Sequence, residues 1–271
     1  MPRHYHVCFS IAGSDPSGGA GVQADIKTFS ALGCYGAGAV TAITVQNTCG
    51  VSRTVPLDAQ LVFEQIVAVM TDMQPQSVKI GMTANAAITE AVSSALRQTA
   101  QRTTFIVLDP ILLSSSGHPL LDQSAVATLL TRLLPLCSLV TPNLPELRAL
   151  TGEDDAAAAA RKLQHMAAGA AVLVKGGHRE GQPTDVLLNG TETHAYAGER
   201  ILTANTHGTG CALSSAIAAW RARGLPLALA VDRAKKFVGN ALKNGADVHI
   251  GNGHGPMNHF FAPEPALIEE K

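Results

Sequence analysis

Two glycine-rich segments hold the residues best placed to do chemistry. The first, Ala12-Gly13-Ser14-Asp15-Pro16-Ser17-Gly18-Gly19-Ala20-Gly21, follows an apolar run and leads into a helical one. Its glycines let the backbone approach a ligand closely, and Asp25 on the following helix offers that ligand a carboxylate. Gly19-x-Gly21-x-x-Ala24 has the spacing of a dinucleotide fingerprint, but the next strand ends at Val45-Gln46 with no acidic residue for a ribose. Gly13 to Gly18 has the spacing of a P-loop, yet Gly19-Ala20 stand where Lys and Ser or Thr belong, so the clamp on the terminal phosphates is missing. A tight turn in which Asp15 merely caps a helix stays open.

The second segment, Asn205-Thr206-His207-Gly208-Thr209-Gly210-Cys211-Ala212-Leu213-Ser214, opens another helix. Gly208 and Gly210 can turn N–H groups toward one point at a helix N-terminus, which makes an anion hole for a phosphoryl group. Cys211 falls in the first helical turn, where the helix dipole favours thiolate, so it is a candidate base or nucleophile. The competing reading is a helix start with a buried, inert cysteine. His207 reads as a structural or supporting residue.

Three further polar clusters stand at the ends of apolar runs: Asp109-Pro110, Thr141-Pro142-Asn143-Leu144-Pro145-Glu146 and Lys175-Gly176-Gly177-His178. Asp109, Asn143 and Glu146 suit a hard, oxygen-seeking Mg²⁺ that binds together with substrate phosphates. Lys175 adds a point charge for the same phosphates. Asn143 and Glu146 could instead be a capping pair for the next helix, and Lys175 a solvated lysine.

These clusters need a scaffold that brings strand ends together. The chain has 271 residues, 46% hydrophobic and 15% charged, which is too apolar for disorder and long enough for a large core. Strand-length runs (Val7–Ala12, Ala37–Val45, Ser77–Gly81, Thr104–Leu108, Ser138–Thr141, Ala170–Val174) alternate with helical stretches (Gly21–Leu32, Asp58–Asp72, Ala86–Thr99, Asp122–Leu134, Pro145–Leu150, Asp154–Ala168). That alternation is the signature of βα units around a parallel sheet. Asp185–Leu188 and His194–Ala197, joined through Asn189-Gly190, read as an edge hairpin with a type I′ turn. Two helices follow, Gly210–Arg223 and Pro226–Asn244, and the acidic tail from Glu264 to Lys271 is expected to fray. The spacing predicts one domain over 1–271: a three-layer α/β/α sandwich with a mostly parallel central sheet, its site at the carboxyl ends of the strands.

Twenty Lys and Arg against 21 Asp and Glu give a net charge of −1, so no positive field is available for a nucleic acid. No apolar run reaches the ~18 residues of a membrane span and no signal peptide is evident, which predicts a cytoplasmic protein with no membrane partner. Five widely spaced cysteines without a C-x-x-C pair disfavour disulfides and structural zinc.

Taken together, these segments resemble the ribokinase-like superfamily and, within it, the hydroxymethylpyrimidine/phosphomethylpyrimidine kinases. The resemblance rests on residues 12–25, Thr44-Val45-Gln46-Asn47-Thr48, Lys79-Ile80-Gly81-Met82, Thr141-Pro142-Asn143-Leu144-Pro145-Glu146, Lys175-Gly176-Gly177-His178 and His207-Gly208-Thr209-Gly210-Cys211, in that order over nearly the whole chain. It implies a pyrimidine pocket lined by Gly13, Asp25, Gln46 and Met82. It also implies nucleotide contacts from Asn143, Lys175, Thr206 and Lys235, a Mg²⁺ site at Asp109, Asn143 and Glu146, and catalysis by Gly208, Gly210, Cys211 and Lys175. Most sugar kinases of the superfamily carry Asp where Cys211 stands, and the cysteine points to the branch acting on pyrimidines and pyridoxal. The implied substrates are ATP with Mg²⁺ and the aminopyrimidine alcohol, with pyridoxal or pyridoxine as the alternative, and the implied assembly is a homodimer.

Overall fold

The computed structural model describes residues 3–112, 120–177 and 182–270. His178, part of the third polar cluster, lies outside the described residues. In chain order the elements are β1 (Arg3–Tyr5), β2 (Val7–Ser14), α1 (Gly21–Ala31), β3 (Tyr35–Asn47), β4 (Gly50–Pro56), α2 (Ala59–Met73), β5 (Ser77–Ile80), α3 (Ala86–Thr99), β6 (Phe105–Leu108) and α4 (Gln123–Thr128). They continue with β7 (Leu139–Val140), α5 (Leu144–Thr151), α6 (Ala156–Met166), β8 (Ala171–Val174), β9 (Thr184–Asn189), β10 (Glu192–Ala197), α7 (Thr209–Ala222), α8 (Leu227–Lys243) and β11 (Ile268–Glu270).

Nine strands form one sheet in the order β10-β9-β8-β7-β6-β5-β2-β3-β4. The run from β8 to β3 is parallel, while β4, β9 and β10 are antiparallel edges. Alternate residues of the central strands serve two separate cores. Ile106, Leu108, Val172 and Val174 pack with α2, α3, α5 and α6 on one face. Val107, Ala171 and Leu173 pack with α1, α7 and α8 on the other. A strand that is apolar on both sides needs a helical layer on each, and this makes the three layers. All parallel strands end at the same edge, so Asp109, Thr141 and Lys175 come out side by side.

Local chemistry sets the helix starts on the α2 side of the sheet. Asp58, Asn85 and Asp155 accept from Leu61, Ile88 and Ala158 N–H groups as N-caps. Helix α4 departs from the expected span: after Thr128 the chain widens into a π-helical turn over Leu129–Leu133 and tightens over Leu134–Leu136, where Pro135 cannot donate to a regular ladder.

Three expectations are corrected. β4 went unread because its residues face mostly outward; it folds back on β3 through the turn at Thr48 and Cys49. The hairpin turn has Gly190 and Thr191 at its centre, since Asn189 pairs with Glu192, and only Gly190 has positive φ (61°). That is the type II′ requirement rather than type I′. The tail is held rather than frayed: Leu267 N–H bonds Gly33 O, Glu264 meets Arg223 at 2.6 Å, and β11 pairs antiparallel with β1.

Candidate active site

The two glycine loops are one body. Gly208, at φ 78°, sits against the first loop so closely that an added Cβ would lie 1.8 Å from Gly19 O, and a Cβ on Gly19 would lie 2.3 Å from His207 Cδ2. Asp15 is the pin. Its Oδ1 accepts from Ser17 N–H and Oγ, while Oδ2 accepts from Ala20 N–H and from His207 Nε2 at 2.8 Å. Burial opposes its charge, but the bonds from His207 and Ser17 outweigh burial and hold the carboxyl below its ordinary value. Sequence reading missed this role for Asp15 and left His207 without a partner; no local pattern links residues so far apart in the chain.

Gln46 lies against the same pin, its side-chain amide 3.1 Å from His207 Nε2 and 3.1 Å from Thr44 Oγ1. Gly13 and Met82 adjoin each other: a Cβ on Gly13 would meet Met82 Sδ at 3.0 Å. Gly13 and Gln46 both fall at register shifts, in the β2–β3 and β3–β4 pairings respectively. A bulge re-aims a side chain or opens room beside the backbone.

The structure corrects the expectation for Asp25. It is fully buried, and its two oxygens take Lys79 Nζ at 3.0 and 2.9 Å, Ser215 Oγ at 2.7 Å and Ser10 Oγ at 2.6 Å. No lone pair is left facing the pocket. The signal was Lys79, a lysine inside the apolar run Ser77-Val78-Lys79-Ile80, which can be buried only with a counter-charge.

On the other flank, Lys175 Nζ stands 2.6 Å from Asp109 Oδ1 and 3.7 Å from Glu146 Oε2. Thr141 Oγ1 and Ser214 Oγ also reach Asp109, at 3.2 and 3.4 Å. Burial disfavours the ammonium, but the two carboxylates more than restore it and raise its proton affinity. Burial also raises the Glu146 carboxyl; Lys175 opposes this and the Asp109 charge reinforces it. Asn143 and Glu146 do form a capping box, each side chain accepting the other's backbone N–H at 2.8 Å. One lone pair of Asn143 Oδ1 thus serves the cap, and among the described residues no three His, Cys, Asp or Glu side chains gather to hold a metal. Of the expected Mg²⁺ residues, Asp109 and Glu146 meet at Lys175 while Asn143 caps α5. Two carboxylates around one ammonium fit a hydrated cation shared with phosphates, not a protein cage. Lys235 is tied to Asp185 on β9 at 2.6 Å, and Thr206 is exposed beside the second loop.

Cys211 stands between the flanks. Its Sγ accepts from Gly21 N–H at the start of α1, and it lies in the first turn of α7, so two helix N-termini converge on it. Neither helix has a side-chain cap. The N–H groups of Gly210 and Cys211 precede the first bond of the α7 ladder, from Ala212 to Gly208 O, and are the orphan donors an oxyanion would use. A Cβ on Gly210 would lie 3.4 Å from Lys175 Nζ, so this hole adjoins the charged flank. The expectation of a lowered thiol is corrected: burial pushes Cys211 up to about 11, against the pull of Lys79.

A family model described as "Phosphomethylpyrimidine kinase" matches residues 15–258. The chain is 46% identical over 260 residues to the hydroxymethylpyrimidine/phosphomethylpyrimidine kinase of Rhizobium meliloti, covering 94% of this chain and 97% of that one. It is 45% identical over 260 residues to the protein of the same name from Escherichia coli, covering 93% and 97%. Among solved structures, phosphomethylpyrimidine kinase from Clostridium difficile superposes with TM-score 0.76 at 37% identity, covering 87% of this chain and 99% of that one. Pyridoxal kinase from Staphylococcus aureus in complex with pyridoxal superposes with TM-score 0.83 at 30% identity, covering 95% and 94%. With its α/β/α sheet order and paired glycine loops, the chain belongs to the phosphomethylpyrimidine kinase family.

Proposed function

We propose that this chain transfers the γ-phosphoryl group of ATP to the primary alcohol of 4-amino-5-hydroxymethyl-2-methylpyrimidine, and then to the monophosphate to give the diphosphate, in thiamine biosynthesis. The observation that carries the reading is the position of Cys211 and its anion hole on the helix that starts between His207, beside Gln46, and the Lys175 charge cluster. Gln46 donates and accepts at the aminopyrimidine edge, as an amide can do at once. Gly13 and Met82 flank the ring, and the hydroxymethyl group points to Cys211. N–H groups of Gly210 and Cys211, turned by Gly208, receive the oxygens of the phosphoryl in transit, where little covalent work is needed. Lys175 holds the nucleotide phosphates, with Thr206 and Lys235 further along the nucleotide. Asp109 and Glu146, with Asn143 beside them, would hold Mg²⁺, whose chemistry there would be to neutralise phosphate charge. Cys211 takes the alcohol proton as its thiolate.

In this reading residues 1–271 act as one cytoplasmic kinase domain in a homodimer, for which Ile43, Val45 and Val55, exposed on β3 and β4, offer an apolar strip. The likeness to solved pyridoxal kinases makes pyridoxal the second reading. The hydrogen-bonded amide at Gln46 favours the pyrimidine. ATP consumption measured with the pyrimidine alcohol, with pyridoxal and with neither tests both: faster turnover of pyridoxal would overturn the substrate assignment.

A further inference from the structure

The kinase reading uses Lys175 and leaves a buried carboxylate beside it unexplained. Asp185, near the start of β9, is 3% exposed and shares its face of the strand with Leu187, which belongs to the core under α7 and α8. A carboxylate in such a row is costly unless donors meet it, and two do. Its Oδ1 accepts from Gly176 N–H at 2.8 Å, and its Oδ2 takes Lys235 Nζ from α8 at 2.6 Å. Gly176 directly follows Lys175.

The antiparallel ladder of β8 and β9 pairs Val172 with Leu188, Leu173 with Leu187 and Val174 with Val186, and there it stops. Lys175 leaves it. Its own N–H turns to Pro142 O at 2.8 Å, on the β7 side, while Gly176 N–H goes to the Asp185 side chain. The turn is so close that a Cβ on Gly176 would lie 1.9 Å from Thr184 O. The backbone at Lys175 is thus gripped from both neighbouring strands, by a carbonyl on one side and by a carboxylate, one residue on, at the other. From this grip its ammonium reaches Asp109 and Glu146 at 2.6 and 3.7 Å.

We infer that Asp185 is a positioning residue for the nucleotide flank, fixing the backbone after β8 so that the Lys175 ammonium stands where the phosphates arrive. The ammonium rides on a long, flexible stem, so a small turn of the backbone beneath it becomes a larger swing of the charge. A misplacement of about 1 Å can cost on the order of a hundredfold in rate. Lys235 holds the second Asp185 oxygen in place, its stem crossing Gly198, where a Cβ would lie 2.8 Å from Lys235 Cε. This inference rests on Lys175 holding the nucleotide phosphates.

The test compares two changes at one position of the full chain, Asp185→Asn and Asp185→Leu. Both release Lys235, whose partly exposed head can turn to solvent, and only asparagine keeps an acceptor for Gly176 N–H. Calorimetry with a non-hydrolysable ATP analogue and Mg²⁺ is expected to show binding at least tenfold weaker in the leucine variant than in the asparagine one, with KM for ATP rising in parallel. Binding of the pyrimidine alcohol alone should agree within about twofold between the two. If the leucine chain does not fold, Asp185→Ala takes its place. Equal nucleotide affinities in the two variants, a loss of pyrimidine binding as large as that of the analogue, or loss of folding in both versions without an acceptor would assign Asp185 to structure alone and overturn the inference. The analogue needs no acceptor alcohol, so a tenfold difference in a chain that fails to phosphorylate the pyrimidine would sink the substrate reading and leave the positioning role standing. A wild-type chain that binds no analogue would sink the kinase reading and the positioning role together.

Discussion

The two flanks of the site are built on opposite principles. Around Gln46, the polar groups are held by neighbours: Asp15 by His207, Ser17 and Ala20, and the Gln46 amide oxygen by Thr44. Glycines there stand so close to other backbone that a single Cβ would collide. Around Lys175, two buried carboxylates share one ammonium and a charge is left over. The first flank is a mould, specific through fit. The second is an electrostatic well that a cation and a polyphosphate can complete. Substitutions on the mould should therefore act on recognition, and substitutions in the well on turnover.

The largest effect is expected at Cys211, which serves both flanks. Cys211→Ala should lower kcat by about 10²–10⁴, the worth of a positioned base, and leave pyrimidine affinity nearly intact. Cys211→Asp should recover part of the loss. With the thiol held near 11 by burial, wild-type kcat should rise with pH through the alkaline range, because the thiolate is the active form. The aspartate variant should lack that rise. A steady-state pH profile of the three proteins checks this, and an alanine variant with wild-type turnover would leave the anion hole as the main catalytic device.

Next come Glu146→Gln and Lys175→Ala, which should reduce turnover tenfold or more while calorimetric binding of the pyrimidine alone stays within about twofold. Lys175→Ala also strands Asp109 and Glu146 beside each other, so it should cost roughly 3–5 kcal/mol of stability by denaturant titration, and Glu146→Gln much less. A large loss of pyrimidine binding in either variant would erase the division between the flanks.

Gln46→Leu tests the mould directly. It removes the ligand's partner and leaves a polar ring edge unmatched at about 1–3 kcal/mol, so kcat/KM for the pyrimidine should fall roughly ten- to a hundredfold. The loss for pyridoxal should be smaller, which a two-substrate assay would show.

The well was more legible in sequence than the mould. Asp109, Thr141 and Lys175 each end an apolar run, and a parallel sheet brings such ends together whatever the details. The capping box over Asn143 and Glu146 is likewise a four-residue pattern that sequence carries locally. What stayed hidden depends on pairs remote in the chain. Asp15 with His207, and Asp25 with Lys79, are joined only by the packing of α1 against α7 and the sheet. The bulges that aim Gly13 and Gln46 have no composition signal, and β4 hid because an outward-facing edge strand lacks an apolar run.

The smallest effect separates the flanks by sign in acid. Behind the mould, His259 is buried, and burial, reinforced by the charge of Lys27, lowers its proton affinity to about 4. An unfolded histidine titrates near ~6.5 and so takes up a proton first; stability present above that pH is lost as pH falls toward 4, at no more than about 1.4 kcal/mol per unit. Asp15, also lowered, adds a loss in the same direction at still lower pH, where its folded carboxyl finally protonates. Glu146 runs the other way. Its carboxyl is raised in the fold, so the folded chain takes its proton before the unfolded one, and its contribution grows as pH falls through that range. Denaturant titrations at pH 7, 5.5 and 4.5 should show a net decline for the wild type. His259→Gln should flatten that decline, and Glu146→Gln should steepen it by removing the group that opposes it. If both variants change the slope in the same direction, the opposite electrostatic character assigned to the two flanks is wrong.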